Sequence, residues 1–211
     1  MNKLGIFVNF WEKKWAVDHR YYIEKVKSLG YDILEFQAQP LLEMSDGECR
    51  KIRKYAEERG IELSYSLGLN KKYDVASGDE EVRKGGVEYL KRIVEKIAVM
   101  EGELFSGVTF AGWGLPDHFV DEAEKRALFE RSAESMREVM KTAEKEGVTV
   151  CVEAVNRFES PLINTAEEAL RYADMVDSPN IGIHLDTYHM NIEENSIGEA
   201  IRKAGKRLRH F

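Results

Sequence analysis

The apolar positions of the chain follow two alternating rhythms. Short runs rich in β-branched and aromatic residues lie at 4–10, 31–36, 61–67, 103–110, 148–155 and 181–188, and another begins at 206. Such runs read as strands. Between them, apolar residues recur at helical spacing over 18–30, 45–60, 79–100, 121–147, 164–176 and 196–205. Ser45 and Asp46 open the second of these stretches, and Gly60 closes it. Gly30 and Gly147 stop the first and fourth, and Asn164 or Thr165 caps the fifth. Acids fill the first turn of the third, where the helix dipole favours them. The pattern predicts seven strands and six helices in strict βα order.

Strict alternation predicts a parallel sheet covered by helices. A doubly wound open sheet and a (β/α)8 barrel both satisfy it. No G-x-G-x-x-G follows the first strand, so the dinucleotide-binding layout lacks its fingerprint. Ionisable residues stand instead at the C-terminal ends of several strands, where barrel active sites lie. The expected fold class is therefore α/β, a (β/α)8 TIM barrel forming one domain over 1–211. A complete barrel takes about 250 residues. The expectation is an incomplete barrel whose seventh strand is its last here, lacking its C-terminal units.

Three strand ends carry the candidate chemistry. Glu153 leaves the fifth strand, with Glu159 in the loop beyond it. Asp186 leaves the sixth, followed by His189, and His210 lies on the seventh. Glu153 and Asp186 are 33 residues apart, and Asp186 and His210 are 24 apart, each close to one βα unit. Neighbouring strands would set the three side by side at the barrel mouth. Two carboxylates and an imidazole suit a hard or borderline divalent cation, not a thiolate-type zinc site. Strand alternation sends Cys151, Gly182 and His184 to the same interior face, below Glu153 and Asp186. His184 reads as a satisfied interior histidine, Cys151 as a small core residue, and Glu35 as a member of a buried pair. Trp11 and Trp15 read as packing residues.

Composition narrows the partners. There are 31 Lys plus Arg against 38 Asp plus Glu, a net charge of −7, which disfavours nonspecific nucleic-acid binding. Two distant cysteines and no CxxC pair give neither a disulfide framework nor a zinc motif. The N-terminal segment lacks a signal-peptide pattern, and no run approaches the roughly 18 apolar residues of a membrane span. A cytoplasmic protein with no membrane partner is expected.

At "VEAVNRFES", "LINTAEEA" and "LDTYHMNIEENSIGEAIRKAG" the chain resembles the ketose 3-epimerases of the D-tagatose/D-psicose (D-allulose) type, within the xylose isomerase-like TIM barrels. The N-terminal "WEKKWAVDHRYYIEKVKSLGYDILE" fits the same family. The resemblance implies that Glu153 is both a metal ligand and an acid/base carboxylate, with Asp186 and His210 as further ligands. It implies substrate contacts from Glu159 and His189 near the sugar's carbonyl end, and pocket walls from Trp113 and Phe7. Phe7 stands where the family usually has Tyr, and Ser66 where a Gly commonly opens the third strand's loop. The cofactor implied is Mn²⁺ or Co²⁺, with Mg²⁺ as an alternative. The implied reaction is epimerisation of a free ketose (D-tagatose, D-psicose or D-fructose) at C3 through an enediolate. The implied assembly is a homo-oligomer, dimer or tetramer. The family's second catalytic Glu and fourth ligand fall on an eighth strand, beyond residue 211, so the 211-residue chain alone is expected to be inactive. The alternatives are an aldose–ketose isomerase of the same superfamily and a non-catalytic barrel fragment that binds sugar or metal. A metal-dependent abasic-site endonuclease shares the barrel, but five histidines and the acidic balance argue against it.

Overall fold

The computed structural model describes residues 2–211. Seven strands alternate with helices: β1 (Gly5–Phe7), α1 (His19–Leu29), β2 (Ile33–Gln37), α2 (Asp46–Glu57), β3 (Glu62–Gly68), α3 (Glu80–Val99) and β4 (Leu104–Val108). The second half continues with α4 (Glu122–Glu146), β5 (Thr149–Ala154), α5 (Ala166–Val176), β6 (Ile181–Leu185), α6 (Thr187–Glu193), α7 (Ile197–Ala204) and β7 (Leu208–His210). All neighbouring strands pair in parallel, in the order β1 to β7. The sheet curls with its helices into a TIM-barrel-like α/β fold.

Local chemistry explains the helix ends. The Asp18 side chain accepts from the Arg20 and Tyr21 amides, and Gly30 ends α1 at φ 80°. Ser45 with Glu48, and Thr165 with Glu168, form reciprocal capping boxes on α2 and α5. Each such cap is worth about 1 kcal/mol. Thr165, not Asn164, is the cap; Asn164 Nδ2 instead donates to the carbonyls of Val155 and Ser160, both at 2.8 Å.

Several predicted strand boundaries shift by a residue or two, and two larger shifts have a clear local cause. The first strand stops at Phe7, and Val8–Phe10 turn into a 3₁₀ helix. There the Trp11 amide donates to the Val8 carbonyl, and Asn9 Nδ2 donates to the Glu12 carbonyl. The sixth strand stops at Leu185, because Asp186 caps a helix that the apolar pattern hid, making seven α-helices among the described residues where six helices were expected.

The core lies between sheet and helices. Leu34, Phe36, Tyr65, Leu67, Phe105, Val150, Val152, Ile181, Ile183 and Leu185 point outward into it and are buried. The opposite face points into the barrel and is mostly polar. Glu35, Ser64, Ser106, Cys151, Glu153 and His184 stand there. Gly182 keeps this interior open, since a Cβ on it would come within 2.8 Å of Cys151 Sγ and 2.7 Å of Arg209 Cγ. A register shift sets Leu208 beside Ile183 but His210 beside His184, so Arg209 is an extra residue. This bulge lets Leu208 pack against the apolar core while His210 still faces inward.

Candidate active site

The ionisable residues gather at the C-terminal ends of β5, β6 and β7. Cross-strand register places Glu153 beside His184, and His184 beside His210. The residue level with Glu153 on the sixth strand is therefore His184; Asp186 stands two residues higher, at the mouth. His184 Nδ1 lies 2.9 Å from Ser106 Oγ and 3.7 Å from Glu153 Oε2. Burial pushes the His184 pKa well below its usual value, which fits a neutral interior ring.

Glu153 is the most perturbed carboxyl of the cluster. Burial raises its pKa first, the Asp186 and Glu35 charges add to the rise, and His210 opposes it; the result is pushed up to about 8. Asp186 divides its two oxygens. Oδ1 accepts from the Tyr188 amide at 2.7 Å as the cap of α6, and Oδ2 lies 4.0 Å from His189 Nε2.

His189, on the first turn of α6, is held by Asn156. The Asn156 amide donates to Nδ1 at 3.2 Å, and Asn156 Nδ2 lies 2.8 Å from the same atom. Nδ1 is thus an acceptor, and in the neutral ring the proton sits on Nε2. Nε2 faces Glu153 Oε1 at 3.7 Å. One atom each from Glu153, Asp186 and His189 lie within 4.8 Å of one another, close enough to surround an ion.

His210 stands beside this trio without belonging to it. Its Nε2 lies 2.6 Å from Glu35 Oε2, and its Nδ1 is buried with no partner. The charges of Glu153 and Asp186 both act on the ring. The rings of His184 and His210 pack with centroids 4.1 Å apart.

The loop after β5 presents Glu159. Its Oε2 accepts from Trp113 Nε1 at 3.1 Å, and its Oε1 from Asn156 Nδ2 at 3.2 Å. Trp113 is half exposed, and its indole packs against Gly68, where a Cβ would approach within 2.4 Å. Arg157 does not pair with Glu159; it grips Glu193 of α6 through Nε and Nη2, the shortest contact being 2.6 Å. Phe7 lies on the far side of the interior, lining a cavity of about 730 Å³ with Glu35 and His210.

Sequence reading named Glu153, Asp186, Glu159, His189, Trp113, His210 and Phe7; the first five surround one patch of the mouth. It missed Asn156, which orients both His189 and Glu159. An Asn just beyond a strand is a common turn residue, and here its Oδ1 does accept from the Phe158 amide at 2.9 Å. The missed link was to His189, which the chain order does not reveal.

Comparison with known proteins gives one consistent answer. The family model described as "Xylose isomerase-like TIM barrel" matches residues 23–211. The D-psicose 3-epimerase of Ruminiclostridium cellulolyticum is 41% identical over 209 residues, covering 99% of this chain and 71% of that protein. The D-psicose 3-epimerase of Agrobacterium fabrum is 36% identical, covering 99% of this chain and 72% of that one. A crystal structure of a D-psicose 3-epimerase in the presence of D-fructose superposes with a TM-score of 0.94 at 36% identity, covering 100% of this chain and 72% of the other.

Proposed function

The chain belongs to the xylose isomerase-like TIM barrel family, and we propose that it is a metal-dependent ketose 3-epimerase. The observation that carries this reading is the convergence of Glu153, Asp186 and His189 at the mouth, with the charges of both carboxylates acting on His210, whose Nδ1 is buried and bare. The epimerase relatives supply the substrate class: a ketose such as D-psicose, D-tagatose or D-fructose.

The donor set fits a divalent cation. Glu153 and Asp186 offer carboxylate oxygens, and His210 offers Nδ1. Such a set suits Mn²⁺ or Co²⁺, with Mg²⁺ also admissible. The raised pKa of Glu153 accords with this, because burial first, and the Asp186 and Glu35 charges second, discourage its ionisation until a cation offsets them. His189 is assigned to the substrate, since its Nε2 carries the proton and offers no lone pair.

When bound, the cation would supply Lewis-acid stabilisation of charge developing on the ketose oxygens. Glu153 would remove the proton at C3, leaving an enediolate, or in the reverse direction return a proton to that enediolate on the same face. The Nε2–H of His189 would donate to the oxygens at C1 and C2, and Glu159 would accept from a hydroxyl there. Trp113 and Phe7 would wall the pocket. Inversion at C3 also needs an acid/base group on the opposite face, and Glu153 serves one face.

The test is solvent exchange. The full-length protein, given Mn²⁺ or Co²⁺ and D-psicose, D-tagatose or D-fructose in D₂O, should form the C3 epimer with deuterium at C3. Deuterium at C1 or C2 would mark an aldose–ketose isomerase instead. No exchange at any carbon would contradict both.

A further inference from the structure

Glu35 is a charged side chain on β2, only 8% exposed and directed into the barrel. Its contacts cross the interior. His210 on β7, 175 residues away in sequence, places Nε2 at 2.6 Å from Glu35 Oε2. Ser64 Oγ donates to the same oxygen at 3.1 Å from the neighbouring strand. An ionised carboxylate can only accept, so the shared hydrogen belongs to His210 Nε2. In the neutral ring that leaves Nδ1 with the lone pair. Nδ1 is buried and has no hydrogen-bond partner. The adjoining His184 packs against the ring but does not supply one; its Nδ1 lies beside Ser106 Oγ instead.

We propose that Glu35 is a positioning residue: by accepting the Nε2 proton of His210 it fixes the ring and tautomer that present a bare Nδ1 to a divalent cation. The carboxylate–imidazole pair is a recurrent way of orienting a metal-binding histidine. Ser64 holds the carboxylate in turn, so β2, β3 and β7 cooperate in aiming one nitrogen. The inference rests on the metal reading given above.

Two measurements on the full chain test it. The first is the ¹⁵N spectrum of the His210 ring in metal-free protein at alkaline pH. The second is Mn²⁺ affinity by calorimetry, for the wild type, Glu35→Leu and Glu35→Gln. The wild type should show the Nε2-protonated tautomer alone. Glu35→Leu should show mixed tautomers and bind Mn²⁺ about 10–100-fold more weakly. Glu35→Gln keeps the shape and one acceptor oxygen, so it should restore most of the tautomer preference and affinity. A Glu35→Leu protein with wild-type tautomer and wild-type affinity would overturn the proposal. So would weakened binding that Glu35→Gln fails to rescue while its melting temperature falls as far as that of Glu35→Leu, since that is the signature of a structural tie. A wild type that binds no Mn²⁺ would overturn the metal reading, and the ring spectra would then decide the role of Glu35 by themselves.

Discussion

Strands β5 and β6 have two faces with opposite physics. Val150, Val152, Ile183 and Leu185 point at the helices and are fully buried among apolar neighbours. Cys151, Glu153, Gly182 and His184 alternate with them and point into the barrel. The outer face contributes stability in proportion to the area it hides. The inner face contributes little of that kind: it holds a carboxyl that burial discourages from ionising and a histidine that burial keeps neutral. One backbone thus carries a scaffold on one side and strained charge chemistry on the other.

Substitutions should separate the two faces. The largest stability effect belongs outside. Phe105→Ala should cost about 3–5 kcal/mol in urea unfolding while leaving Mn²⁺ binding intact in the protein that remains folded. If Mn²⁺ affinity fell with it, the faces would not be independent. Inside, Glu153→Gln should leave the urea midpoint of metal-free protein unchanged or raise it, since a buried carboxyl becomes a neutral amide. Its C3 exchange rate should drop by about 10²–10⁴. A destabilised variant with normal exchange would reverse the comparison.

A smaller effect is expected at Asn156. Asn156→Ala removes two hydrogen bonds from groups that bind substrate in this account, so KM for the ketose should rise while Mn²⁺ affinity holds. Weaker metal binding would move His189 into the ligand set. The smallest effect concerns the loop anchor. The hydrogen bond from Arg157 holds the Glu193 carboxyl below its usual pKa. A lowered folded-state pKa contributes stability above the unfolded value, and that contribution is lost as pH falls through the folded value. Arg157→Leu should therefore narrow the gap in urea midpoint between pH 7 and about pH 3.5. An unchanged gap would dissociate Glu193 from the loop's stability.

The outer face was the legible one. Period-two and helical apolar patterns, with Gly30 and Gly147 as stops, revealed the βα order because burial acts on every residue of an element. Boundaries slipped where a side chain diverted the backbone, as Asp186 did by capping α6 inside a run that reads as strand. Strand-end placement made Glu153, Asp186 and His210 visible as candidates. Their finer arrangement was not visible. The β7 bulge that turns His210 inward, the Glu35 contact across the barrel and the Asn156 grip on His189 all depend on register between distant strands. Spacing along a chain gives the number of βα units between residues, not the level at which they meet.

In the proposed site, Glu153, Asp186 and His210 of the inner face hold the cation and His189 is reserved for the sugar. Mn²⁺ titration of the wild type, His210→Ala and His189→Ala by calorimetry tests it most directly. The expected result is a single site, weakened at least about tenfold in His210→Ala and essentially unchanged in His189→Ala. Loss of binding in His189→Ala with full affinity in His210→Ala would contradict it.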